Sequence, residues 1–266
     1  MIKLGVNSVL FKTLPFSEAA RLISLCGYDG LEISAIRGMC EHLNLDSWER
    51  QKDELLAIMA DNELAFLATE VAALDPERLL PAFAACQGLG IPVVNVGSGG
   101  RQDDQASLDA AIDLLAQMAD AAALHGVTLC VKAHVGAAIH DTATTLYAID
   151  KLKGVQGFGI DMDPSHVYRA SELPEEALPH VLPATRHVHI RDCKGRGPSP
   201  GVPQLQTCGR GDINLDAYLK TMVAGNYQGP VNLEIIGPEL TMEEAVTIAA
   251  ESYGYMNAIL RRYNAR

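Results

Sequence analysis

The sequence predicts one closed (β/α)8 barrel, and three observations carry that expectation. Short apolar, β-branched runs recur eight times along the 266 residues, roughly 33 residues per unit, which is room for a strand, a helix and two loops. Segments with helical period separate these runs, and strict alternation of strand and helix requires a parallel sheet covered by helices. An open, doubly wound sheet would carry a glycine fingerprint after its first strand, and Gly5-Val6-Asn7-Ser8 does not supply it. No linker, low-complexity tract or charge run marks a second domain, so residues 1–266 read as a single domain.

The eight strand candidates are Ile2–Val6, Gly30–Ile33, Leu64–Ala68, Val93–Val96, Thr128–Val131, Phe158–Ile160, His187–Ile190 and Val231–Ile235. Between them, Ser47 opens an amphipathic stretch that runs to about Asn62. Asp75-Pro76-Glu77 supplies an N-cap, a proline at the first helical position and an early acid. An alanine-rich helix is expected from Ala106 to His125, closed by Gly126. Asp141-Thr142 and Asn214-Leu215-Asp216 open two more, and Thr241 to Arg262 is the last. Pro174, Pro179 and Pro183 make the segment before the seventh strand read as short and irregular, and Lys194 to Asp212 is the longest loop.

Composition narrows the function classes. Lys and Arg number 21 against 33 Asp and Glu, a formal charge of −12, the wrong sign for a partner that must neutralise phosphates. A nucleic-acid or anionic-membrane ligand is therefore not expected. Apolar runs break well before the ~20 residues needed to span a bilayer, and the N-terminus has no signal-peptide pattern. Six scattered cysteines without a CxxC pair fit a reduced, cytoplasmic protein.

In such a barrel, catalytic groups project from the C-terminal ends of the strands. Those positions hold Asn7, Glu32, Glu70, the turn Gly97-Ser98-Gly99-Gly100-Arg101, Lys132-Ala133-His134, Asp161-Met162-Asp163-Pro164-Ser165-His166, His187-Val188-His189-Ile190-Arg191-Asp192 and Glu234. Side-chain alternation turns His187 and His189 to one face, with Glu234 also inward. Asp163, His189 and Glu234 can thus converge on one centre, and an Asp/His/Glu set suits Mn²⁺, Fe²⁺, Co²⁺ or Zn²⁺ better than Ca²⁺. His187 reads as a hydrogen-bonded core histidine, and Glu70 either lines the pocket or pairs with Arg101. Arg37, Arg101, Arg191, Lys194, Arg196 and Arg210, in or beside loops of that face, hint at an anionic substrate.

The order GYDGLE (27–32), DPSH (163–166), HVHIRD (187–192), GRGD (209–212) and GNYQGPVNLE (225–234) resembles the xylose isomerase-like TIM-barrel family along essentially the whole chain. That family includes sugar isomerases, ketose 3-epimerases, inosose dehydratases and dehydroshikimate dehydratases. The resemblance implies a divalent metal, with Mn, Co, Zn and Mg all open, held by Asp163, His189 and Glu234. It further implies a substrate contact from His166, a weaker one from Arg196, and a pocket acid at Glu32, with Asn7 and His134 beside them. The departure is Lys132, where the family carries a fourth ligand, a glutamate that also serves as one of two paired acid–base groups in the epimerases.

Three readings of Lys132 follow. It replaces the metal as a cation, it sits beside a bound metal as a base or imine-forming amine, or it marks a binding-only barrel. The first functional expectation is an isomerase or epimerase working through a metal-stabilised enediolate, with Glu234 or Lys132 moving the proton. The alternative is a lyase, a dehydratase or decarboxylase, using the same site; the third is a non-catalytic sugar-binding barrel. A small carbohydrate is the expected partner, and the apolar positions on several sides of the last helix allow a homodimer.

Overall fold

The computed structural model describes all residues 1–266. The strands are β1 (Leu4–Asn7), β2 (Gly30–Ile36), β3 (Cys40–Glu41), β4 (Ala65–Ala72), β5 (Val93–Gly97), β6 (Thr128–Lys132), β7 (Phe158–Met162), β8 (Thr185–Ile190) and β9 (Val231–Leu233). All but β3 form a parallel ring in the order β1-β9-β8-β7-β6-β5-β4-β2, which the β2–β1 pairing closes. The (β/α)8 barrel is the observed fold. β3 is an addition to the eight expected strands: β2 runs on to Ile36, and the chain turns back so that Cys40 and Glu41 pair with it antiparallel.

The helices are α1 (Phe16–Leu25), α2 (Trp48–Asp61), α3 (Pro76–Leu89), α4 (Gln105–Leu124), α5 (Thr142–Lys151), α6 (Pro164–Arg169), α7 (Pro174–Val181), α8 (Pro203–Gln206), α9 (Leu215–Ala224) and α10 (Met242–Arg262). Their starts follow local chemistry. Asp75 and Asp104 accept backbone N–H groups at the heads of α3 and α4, and Asp141–Thr144 and Thr241–Glu244 form capping boxes. The proline-bearing segment before β8 is a correction. Pro174 occupies the first turn of α7, where its missing N–H costs nothing, so the segment is helical rather than irregular.

Sixty-eight buried residues form one apolar core where the helices meet the outer face of the ring. Inside the ring the packing is tight enough to dictate a glycine: a Cβ on Gly5 would lie 2.0 Å from Asn232 Oδ1. Above Gly5 the barrel fills with polar side chains, and the site is built on them.

Candidate active site

The lower layer of the barrel interior is a buried hydrogen-bond network, in which Asn95 Oδ1, Asp161 Oδ2 and Asn232 Oδ1 are left without hydrogen-bond partners. His187 pairs through Nδ1 with Asp161 Oδ1 at 2.9 Å and through Nε2 with Asn232 Nδ2 at 2.6 Å. Asn95 Nδ2 donates to Glu32 Oε1 at 2.7 Å. His189 lies between Glu32 on Nε2 and Asp161 Oδ2, 2.6 Å from Nδ1. Burial opposes a charge on His189, but Asp161 and Glu32 outweigh it and hold its pKa well above the usual histidine range. Burial likewise opposes the charge on Asp161, and His189 with His187 overcome it, keeping that carboxyl well below its ordinary value.

The rim above is different. Lys132, at the end of β6, places Nζ 2.8 Å from Glu234 Oε1, 3.1 Å from His189 Nδ1 and 3.4 Å from Glu70 Oε1. Burial works against the ammonium, yet Glu234 and Glu70 raise its pKa above the ordinary lysine value. With two carboxyl groups beside it, Lys132 is favoured in its ammonium form. Arg191, next inward residue after His187 and His189, donates to Asp163 Oδ2 and to Ser165 Oγ, each at 2.8 Å. Its Nη1 lies 3.0 Å from Glu234 Oε2 but out of line for a hydrogen bond, so both atoms are buried and unsatisfied. Burial would raise the Glu234 pKa, but Lys132 and Arg191 hold it well below the carboxylate norm. Glu70 goes the other way: burial and Glu234 push it up to about 8 against the pull of Lys132. Asn7 supports it, donating from Nδ2 to Glu70 Oε2 at 2.6 Å.

These side chains open into a cavity of about 310 Å³ at the C-terminal end of the strands, walled on its apolar side by Ile36, Met39, Pro198, Pro200 and Ile236. His134 and His166 line it with their ring centroids 4.1 Å apart. Both are pulled below the usual histidine pKa, His166 far below it: burial acts first, then for His166 the Arg191 cation. His134 Nδ1 is 3.0 Å from the Val135 carbonyl, which fixes the proton there and leaves Nε2 as an acceptor. His166 has guanidinium nitrogens against both ring nitrogens, Arg169 Nη2 at 2.8 Å from Nδ1 and Arg191 Nη2 at 2.9 Å from Nε2. A wider cavity of about 730 Å³ lies around Thr185 and Arg186, at the opposite end of β8 from this chemistry.

Of the residues singled out in the sequence, Lys132, His134, His166 and Glu234 line the cavity together. His189, Glu32 and Asn7 lie beneath it, fully buried. Asp163 caps α6 through the Ser165 N–H and pairs with Arg191. Arg196 lies outside, stacked 3.9 Å over the Tyr168 ring and donating to the Tyr168 and Glu172 carbonyls. The other loop cations also have partners elsewhere: Arg101 with Asp104, Lys194 with Asp212, Arg210 with Glu251. Glu70 accordingly does not meet Arg101. Sequence reasoning missed Arg169, although a position three after His166 on a helix shares its face. Arg191 was counted with the loop cations, although alternation along β8 turns it inward.

Two buried clusters have ligand atoms within 4.8 Å of one another, close enough for a metal ion: Glu70–His189–Glu234 and Glu32–His187–His189. Neither includes Asp163. The first cannot take a divalent ion as it stands, because its three ligand atoms are the atoms around Lys132 Nζ. In the second, His189 carries a proton and the nitrogens of His187 are engaged by Asp161 and Asn232, so lone pairs are lacking. Both clusters have the donor types and spacing to hold a divalent ion, but as arranged here the first is filled by the Lys132 ammonium and the second is engaged in hydrogen bonds.

No curated protein matches the chain. Among solved structures, a D-psicose 3-epimerase with D-tagatose from Clostridium cellulolyticum H10 superposes with a TM-score of 0.79 at 14% identity, covering 97% of this chain and 99% of the other. An L-ribulose 3-epimerase gives 0.78 at 17% identity, covering 98% and 95%. A probable 3-DHS dehydratase involved in petrobactin synthesis from Bacillus anthracis gives 0.77 at 14%, covering 96% and 99%. At such identities the likeness is one of fold. A family profile described as xylose isomerase-like TIM barrel matches residues 20–259, and with nearly the whole barrel inside that match, the chain belongs to the xylose isomerase-like TIM-barrel family.

Proposed function

We propose that this protein is an enzyme that removes a proton next to the carbonyl of a small polyhydroxylated compound and expels a β-hydroxyl as water, a carbohydrate-type dehydratase. The observation that carries the reading is the unlike pair at the rim. Where two facing carboxylates would serve a reversible epimerisation, an ammonium, Lys132, is bonded to a carboxylate, Glu234. Glu234 is thereby a poor base, and elimination needs only one base and one acid.

His134, neutral and with Nε2 free to accept, takes the α-proton. The electron pair moves into an enolate whose oxygen is stabilised by the Lys132 ammonium, with Arg191 Nη1 as a second donor. Glu70, protonated near neutrality, gives its proton to the β-hydroxyl, which leaves as water while the enolate collapses to an α,β-unsaturated carbonyl compound. Glu234 Oε2, unsatisfied beside the cavity, accepts from a substrate hydroxyl. His166, fixed between two guanidinium groups, positions rather than titrates.

An isomerase or epimerase acting on a ketose is the second reading. In its favour, Lys132 and Arg191 offer donors to two neighbouring oxygens, as an enediolate requires. The test is incubation in D2O with keto-sugars and their acids, followed by ultraviolet absorbance and mass spectrometry. Conjugated product and loss of water are expected. Deuterium in a product with its skeleton and oxygens intact would replace the dehydratase by an isomerase, and no change in any compound would leave a binding barrel.

A further inference from the structure

Three guanidinium or ammonium groups line the cavity, and only two of them have counter-ions. Lys132 has Glu234, and Arg191 has Asp163. Arg169 has no carboxylate within 4.0 Å, although it is only 6% exposed and lines the cavity. Its fork is held instead by neutral groups: Nε donates to the Ser165 carbonyl at 3.2 Å, Nη1 to the Pro198 carbonyl at 2.7 Å, and Nη2 faces His166. A buried cation without a counter-ion is costly, and fixing it by two backbone carbonyls leaves it oriented yet uncompensated.

We infer that Arg169 anchors a carboxylate on the substrate, so that the pocket takes a small polyhydroxylated keto acid rather than a neutral sugar. One unpaired guanidinium calls for one monoanion, and a planar fork matches a carboxylate. The neighbouring wall supports the assignment. The His134 and His166 rings offer no negative charge to compete, and Pro198 and Pro200 beside them bring none. The anion would dock on Arg169 while the carbonyl oxygen reaches the unsatisfied Arg191 Nη1 and a hydroxyl reaches Glu234 Oε2. This inference rests on the cavity being the substrate site proposed above.

The experiment is calorimetric titration of the full chain with D-gluconate, D-glucitol and D-glucitol 6-phosphate, which share a six-carbon polyol chain and differ in charge. Gluconate is expected to bind at least about tenfold more tightly than glucitol, a difference of ~1.4 kcal/mol. Arg169→Met should weaken gluconate far more than glucitol, so that the preference is abolished. Arg169→Lys, which keeps the charge and loses the fork, should retain part of it and serves if the methionine variant fails to fold. Equal affinities in the wild type, no gluconate binding in the tens of millimolar, or a gluconate preference that survives Arg169→Met would each overturn the anchor. Preference for the 6-phosphate over gluconate, lost in Arg169→Met, would overturn the carboxylate in favour of a phosphate. Arg169-dependent gluconate binding without turnover of any keto acid would sink the enzyme reading and leave the anchor standing. Dehydration of a neutral keto-sugar at equal kcat/KM by wild type and Arg169→Met would do the reverse.

Discussion

The two polar layers of the barrel use similar residues to opposite ends. In the lower layer, Asp161, His187, His189, Glu32, Asn95 and Asn232 bond mainly to one another and none of them lines the cavity, although Asn95 Oδ1, Asp161 Oδ2 and Asn232 Oδ1 lack a hydrogen-bond partner. In the rim, Lys132, Glu70, Glu234, Arg191 and Arg169 are as buried, yet they leave two unsatisfied atoms and one cation without a counter-ion. A network closed off beneath the cavity stabilises and orients; groups that line the cavity with bonding capacity and charge to spare are poised for a ligand. The difference separates scaffold from chemistry more sharply than burial does.

Substitutions can break that contrast. The largest effect is expected at Lys132. Lys132→Met should lower kcat by about 10²–10³-fold, the usual loss when a donor to a developing oxyanion is removed, and steady-state kinetics on the substrate found by the D2O screen would read it. The charge-reversing Lys132→Glu should create a metal site: elemental analysis after dialysis against Mn²⁺ or Co²⁺ should give about one equivalent in the variant and none in the wild type. Equal metal content in both would show that the ammonium does not fill the ligand position.

In the lower layer, Asp161→Asn should act on stability instead, costing about 3–5 kcal/mol by stranding two histidines, as measured by urea unfolding. A smaller, pH-dependent effect belongs to Glu70. Its folded pKa of about 8 lies above its ordinary value of 4.5, so between those pH values the folded chain holds a proton that the unfolded chain has released. Its contribution makes stability fall as pH rises through that window. Glu70→Gln should flatten the slope between pH 6 and 8, and kcat should fall above pH 8 in the wild type only. The smallest effect is expected at Arg196→Ala, outside the cavity: kcat/KM within about twofold and a stability loss of about 0.5–1 kcal/mol from the lost stacking on Tyr168.

Much of this architecture is legible in the sequence because it depends on local chemistry. Aspartate and threonine caps announced the helices, and β-branched runs announced the strands. Where the reading went short, a non-local cause is visible. β4 extends beyond Ala68 because its backbone pairs with β2 through Glu70 and with β5 through Ala72, which carries Glu70 onto the strand and inward. The loop cations looked like a substrate-facing set, but Lys194 and Arg210 find acids that only the folded chain brings near, Arg101 pairs with Asp104 three residues on, and Arg196 stacks on Tyr168. Arg169 escaped notice because nothing in DPSHVYR says that α6 ends against the Pro198 carbonyl, contributed by a loop 29 residues away. Lys132 was visible as a departure, but only the three distances around Nζ show what it displaces.

The Lys132 ammonium has a consequence for the economy of the cell. A dissociable ion occupies its site according to its free concentration, so an enzyme that uses one shares the fortunes of the cellular supply. A charge on a side chain is delivered once per polypeptide at translation, cannot be chelated or exchanged for a wrong ion, and is in place as soon as the barrel closes.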